Sequence, residues 1–185
     1  MTRPTKEVRV IATGGTIDKV YDRKSGENLF QGKTHVGAML REYGADALVV
    51  VQQLMLKDSL DMTEEDRNLI IEACERSKQE QIVITHGTDT AVTTAKRLVT
   101  AGLGKCIAIT GAMQPYSMGH SDGTYNLASA VQAVQYLPTG VYVAMHGRNF
   151  QPDDCIKDKI VDPPVFRTLG EYAAIYGAQA INMAS

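Results

Sequence analysis

The chain has 185 residues, 44% of them hydrophobic and 22% charged, which fits one soluble globular domain. A chain of this length buries about 70% of its unfolded surface and needs no disulfide or metal staple. Its net charge of −2 offers no electrostatic case for nucleic acid or an acidic membrane, and no apolar run nears the roughly 20 residues of a membrane span.

The N-terminal stretch "MTRPTKEVRV" lacks the apolar core of a signal peptide. Cys74, Cys106 and Cys155 form no CxxC pair and cannot all pair with one another, so a reducing cytoplasm is expected.

In chain order, "EVRVIAT" (7–13) reads as a buried strand that exits into "TGGTID". The polar segment 17–33, with Gly26 and Gly32, is longer than connections usually are and is expected to be a mobile lid. A helix over 34–43 leads to a second strand, "ALVVVQ" (47–52), exiting into "LMLKDSLDM". The clearest helix covers 63–78, with Thr63 as N-cap, Asp66 three residues on, and Leu69, Ile70, Ala73 and Cys74 facing inward. Strands follow at 81–85, 105–110 and 140–146, separated by helices at 90–101 and 122–136. The tail after residue 147 shows no strand pattern. The order βαβαβαβαβ predicts a parallel sheet with helices on both faces, a three-layer, Rossmann-like α/β single domain over 1–185.

Ligands of such sheets bind outside the carboxyl ends of the strands. Four of those exits here are rich in Thr, Ser, Asp and Gly: "TGGTID", "LMLKDSLDM", "THGTDT" and "TGAMQPYSMGHSDG". Singly, Thr16, Thr88 and Asp89 read as turn or capping residues and His86 as structural. Together, on one sheet edge, they suggest a site. No GxxxxGK[ST] or GxGxxG supports a nucleotide, no GxSxG a serine hydrolase, and no His or Cys spacing a zinc site.

"IATGGTID" and "IVITHGTDT" resemble the two signature motifs of the bacterial-type L-asparaginases. "DSLDM" and "ITGAMQPYSMGHSDGTYNLASAV" are similar to that family too, in order and spacing across roughly 7–150. The resemblance implies an asparaginase N-terminal-type catalytic domain that hydrolyses L-asparagine through a threonine nucleophile, without metal or cofactor. It assigns Thr16 as nucleophile, Tyr21 to the lid, Ser59 to the substrate α-carboxylate, Asp89 to its α-ammonium, and Thr88 with Lys157 to proton handling. Which threonine attacks first stays open. It also implies a homo-oligomer, no nucleic-acid or membrane partner, and a further domain's length that this chain does not carry. Leu60, Asp18 and Ala91 depart from the family's usual residues.

"DDCIKDKIVD" holds both Lys157 and Lys159. Lys157 is favoured by spacing and by the neighbouring Ile156, and only one of the two is expected to point inward. Two alternatives stand beside the asparaginase. One is the asparaginase-like subunit of a tRNA-dependent amidotransferase, disfavoured by the lack of a tRNA-handling segment or basic patch. The other is a non-catalytic amino-acid-binding module, disfavoured because both threonines and the lysine are present.

Overall fold

The computed structural model describes residues 6–42, 44, 45 and 48–184. Its elements in chain order are β1 (Val8–Gly14), β2 (Lys19–Asp22), β3 (Glu27–Phe30), α1 (Val36–Glu42), β4 (Val49–Lys57) and α2 (Glu64–Arg76). There follow β5 (Gln81–Thr85), α3 (Ala91–Ala101), β6 (Cys106–Thr110), α4 (Gly123–Tyr136) and β7 (Gly140–Met145). The chain finishes with β8 (Arg148–Phe150), β9 (Ile156–Asp158), β10 (Val165–Arg167), α5 (Leu169–Tyr176) and α6 (Ile181–Ala184). The expected helix end at Tyr43 and strand start at Ala47 lie outside the described residues.

The main sheet runs β4-β1-β5-β6-β7-β8, parallel throughout except for β8. Strand alternation divides the core into two layers, since successive side chains leave opposite faces. Ile82, Ile84, Ile107 and Ile109 meet Ile70, Cys74, Ala95 and Leu98 of α2 and α3 on one face. Val10, Ala12, Val83 and Ala108 meet Val36, Met39, Leu127 and Val134 of α1 and α4 on the other. The three-layer arrangement expected from the sequence is the one observed. No helix among the described residues is long and apolar enough to cross a membrane.

Local rules explain several boundaries. Thr63 caps α2 through a reciprocal capping box with Asp66, and Gly102, at φ 61°, ends α3 in the left-handed region. Other expectations need correction. On α2 the buried residues are Arg67, Ile70 and Cys74, while Leu69 is exposed, because the helix turns a narrower stripe inward than its apolar residues suggest. Segment 17–33 is no plain loop: it contains the antiparallel hairpin β2–β3. The tail adds β8 to the sheet edge and forms a second hairpin, β9–β10, whose strands are too short to show a periodic pattern.

The topology also locates a crevice. From β1 the chain moves to β4 on one side and then crosses to β5 on the other. The exits of β1 and β5 therefore flank the switch point where open α/β sheets bind ligands. Those exits carry "TGGT" and "HGTDT".

Candidate active site

Glycines let the strand exits close on one another. Gly14 and Gly15 adopt φ 103° and 80°, and Gly15 donates its N–H to the carbonyl of Lys57 at the end of β4. A Cβ on Gly15 would lie 2.4 Å from the backbone nitrogen of Gly87, and one on Gly87 would lie 2.6 Å from Ser59 Oγ. The exits of β1, β4 and β5 are thus in backbone contact, which no larger residue permits. Thr90 Oγ1 donates to the Ser59 carbonyl at 2.9 Å and holds that loop in place.

Within this frame, Thr88 is 6% exposed and accepts a hydrogen bond from Lys157 Nζ at 2.7 Å. Lys157 Nζ also lies 3.1 Å from Asp89 Oδ1, so one ammonium joins the hydroxyl and the carboxylate. Burial pushes the Asp89 carboxyl up, but hydrogen bonds from Lys159 and Lys157 and their charges outweigh it and hold it below the ordinary range. Ser59 is 1% exposed, and its Oγ has no hydrogen-bond partner among the described residues. A buried, unpaired hydroxyl costs free energy that a ligand could recover.

The structure therefore brings Ser59, Thr88, Asp89 and Lys157 together. Thr16 is half-buried in the short turn Thr16–Asp18, next to Gly15. Tyr21 is 51% exposed on β2, opposite Asn28. Among the described residues, no hydrogen bond or ion pair joins Thr16 or Tyr21 to the other four. Their hairpin is tied down at its base: Asp18 Oδ1 accepts from Thr34 Oγ1 and the His35 amide, Lys19 pairs with Asp58, and Ser117 Oγ donates to the Lys19 carbonyl.

Both lysines reach the same carboxylate, against the expectation that only one points inward, although only Lys157 is largely withdrawn from solvent. Lys159 Nζ lies 2.7 Å from the same Asp89 oxygen as Lys157. Residues two apart on extended chain share a face, and the one between them points away. Asp158 does so: fully buried, it accepts from Arg167 Nε at 2.7 Å and from the Tyr176 hydroxyl at 3.1 Å. Burial differs between the lysines, at 11% and 58% side-chain exposure for Lys157 and Lys159.

Two supporting residues have roles that the sequence did not assign to them. Asp122 accepts from the amides of Met113 and Gln114, and Asn126 donates to the Gly111 carbonyl while accepting from the His146 amide. Both brace the exits of β6 and β7; a single Asp or Asn before or within a helix carries no such signal. Among the described residues, no group of three His, Cys, Asp or Glu is placed to hold a metal ion.

His86 is structural, as its position suggested. Its Nδ1 lies 2.8 Å from the Gly87 carbonyl, so Nδ1 carries the proton and Nε2 accepts from Thr94 Oγ1 at 2.9 Å. Complete burial pulls its pKa from 6.5 to about 4, with the Gly87 bond opposing and Arg67 adding. Below pH 6.5 the unfolded chain binds a proton that the fold refuses. Stability from this group is thus complete above 6.5 and falls as pH drops toward 4, by roughly 3 kcal/mol. Urea midpoints should decline over that window in the natural chain, and the decline should flatten in His86→Gln.

Residues 7–181 match the family described as Asparaginase, N-terminal. The chain is 32% identical over 151 residues to a glutamyl-tRNA(Gln) amidotransferase subunit of Methanococcus vannielii, covering 77% of this chain and 34% of that protein. It is 29% identical over 174 residues to L-asparaginase 2 of Escherichia coli, covering 88% of this chain and 49% of the relative. L-asparaginase I from Vibrio cholerae superposes with a TM-score of 0.75 at 28% identity, over 88% of this chain and 51% of that one. The chain spans between about a third and a half of these relatives. With the family match running through nearly its whole length, the chain belongs to the asparaginase family.

Proposed function

We propose that this domain hydrolyses L-asparagine to L-aspartate and ammonia through a threonine nucleophile. The observation that carries the reading is the contact of Lys157 with both Thr88 and Asp89, beside the unpaired hydroxyl of Ser59. An amide is a poor electrophile, so its hydrolysis needs an activated nucleophile and a stabilised oxyanion. Ser59 would donate to the α-carboxylate, and Asp89 would receive the α-ammonium. That pair of contacts orients an amino acid rather than a plain amide.

A threonine Oγ then attacks the side-chain carbonyl carbon, and the C=O electron pair moves to oxygen. Collapse breaks the C–N bond; the nitrogen takes a proton and leaves as ammonia. Water hydrolyses the resulting ester, releasing aspartate and restoring the hydroxyl. Thr88 Oγ1 is bonded to Lys157 Nζ, which would relay the hydroxyl proton to the departing nitrogen; Thr16 is the second hydroxyl at the switch point. Tyr21 would act on Thr16 from the hairpin as it closes, and Tyr21→Phe should then lower kcat in a chain that still folds. Full activity in that variant would leave the hairpin without a chemical part. The three free, buried cysteines support a reducing, cytoplasmic setting, and the family resemblance supports a homo-oligomer.

Ammonia release from asparagine against glutamine by the purified chain tests the reading, and release from neither would reject it. The likeness to the amidotransferase relative favours one second reading, that the ammonia serves a partner acting on glutamyl-tRNA(Gln). Ammonia release that appears only with such a partner and its tRNA would decide for it. Asp89→Asn keeps the shape of the side chain but removes its charge. Its kcat/KM for asparagine should fall by roughly 1.5–3 kcal/mol, the worth of a charge-assisted hydrogen bond. An unchanged value in steady-state kinetics would take Asp89 out of the substrate site.

A further inference from the structure

The carboxylate offered to a substrate ammonium is already occupied. Lys157 and Lys159 reach the same oxygen of Asp89, at 3.1 and 2.7 Å. One carboxylate against two ammoniums leaves the spot net positive. Asp58, an acidic group whose charge interacts with that of Asp89, is itself paired with Lys19. Asp158, between the two lysines in sequence, faces Arg167 instead. Neither acid offsets the second lysine, so an incoming ammonium meets repulsion until one lysine leaves.

Lys159 is the one free to go. Lys157 is 11% exposed and also bonded to Thr88, whereas Lys159 is 58% exposed, just past the end of β9. Beside Asp89 lies a groove of about 220 Å³ lined by Thr93, Lys96, Cys155, Lys159 and Leu169, which gives its side chain room to swing away.

We propose that Lys159 is a tethered competitor for the ammonium position at Asp89, and so sets how strongly the site prefers an α-amino acid over the same acid lacking its amine. The inference rests on the reading of Asp89 as the ammonium's partner. With Lys159 in place, a ligand without an amine leaves the resting ion pair intact, while an amino acid must displace it. Lys159 is a specificity-determining residue, not a catalytic one.

The test compares the natural chain, Lys159→Met and Lys159→Arg by calorimetric titration with L-aspartate and with succinate, alongside asparagine kinetics. In Lys159→Met the ratio of aspartate to succinate affinity should rise about fivefold, the factor equivalent to about 1 kcal/mol for a partly exposed ion pair. KM for asparagine should fall with kcat unchanged, and Lys159→Arg should return both to the natural values. An unchanged ratio in Lys159→Met, or aspartate binding to neither form, overturns the proposal. A raised ratio in a chain that releases no ammonia from asparagine upholds it and rejects the hydrolase reading alone.

Discussion

Replacing Lys157 by methionine should cut turnover by about 10²–10⁴-fold, the usual worth of a positioned acid–base group, while aspartate binding stays measurable. Methionine keeps the length and apolar stem of lysine, so the packing of β9 beside Ile156 survives. What goes is the nitrogen that touches both Thr88 Oγ1 and Asp89 Oδ1. The Thr88 hydroxyl then loses the nitrogen it is bonded to, and Asp89 keeps Lys159, which lies 2.7 Å away. Binding should thus change less than chemistry. Single-turnover rates and aspartate titration separate the two; near-normal turnover in Lys157→Met would remove Lys157 from the chemistry. Lys159→Met, by contrast, should leave kcat as it was.

Gly15→Ala should be the most damaging change that touches no functional group. Gly15 sits at φ 80°, ψ −178°, a region essentially restricted to glycine, where another residue costs about 1–3 kcal/mol. The added Cβ would also lie 2.4 Å from Gly87 N and 2.7 Å from the His86 carbonyl carbon. Those are backbone atoms, so relief requires β1 and β5 to separate at their exits. Gly87 would move, and with it the wall against Ser59 and the start of the Thr88–Asp89 turn. A lowered melting temperature together with lost aspartate binding is expected. Gly26→Ala is the control: φ is 76° there too, but no atom lies within 4 Å of the new Cβ. It should show a modest stability cost and full ligand binding. Equal damage from both variants would mean that backbone strain, not the contact of the exits, decides the outcome.

Much of this is legible in the amino-acid sequence. Short apolar runs such as "QIVIT" announce strands buried on both faces because each face must meet a helix, and β5 is buried along its whole length. Thr63 and Asp66 mark a helix start because their side chains satisfy amides that have no partner inside the helix. Polar residues at four strand exits point to a shared edge because a parallel sheet sets all its carboxyl ends on one side. From these local rules the amino-acid sequence alone determined the layer order and the edge carrying the candidate site; with the family resemblance it also singled out Thr16, Ser59, Thr88 and Asp89.

Tertiary structure decided the rest. The hairpins β2–β3 and β9–β10 have strands of only three or four residues, too few for a periodic signal, and they form through contacts that follow from the fold. The pairing of Asp122 and Asn126 with carbonyls and amides of neighbouring exits joins residues with no fixed spacing. Most of all, the shared hold of Lys157 and Lys159 on one carboxylate nearly 70 residues earlier depends on where β9 lies against the β5 exit. Strand alternation makes two residues two apart face the same way. Only the placement of β9 in space chooses which face meets Asp89, and that choice puts both lysines on the carboxylate and Asp158 on Arg167.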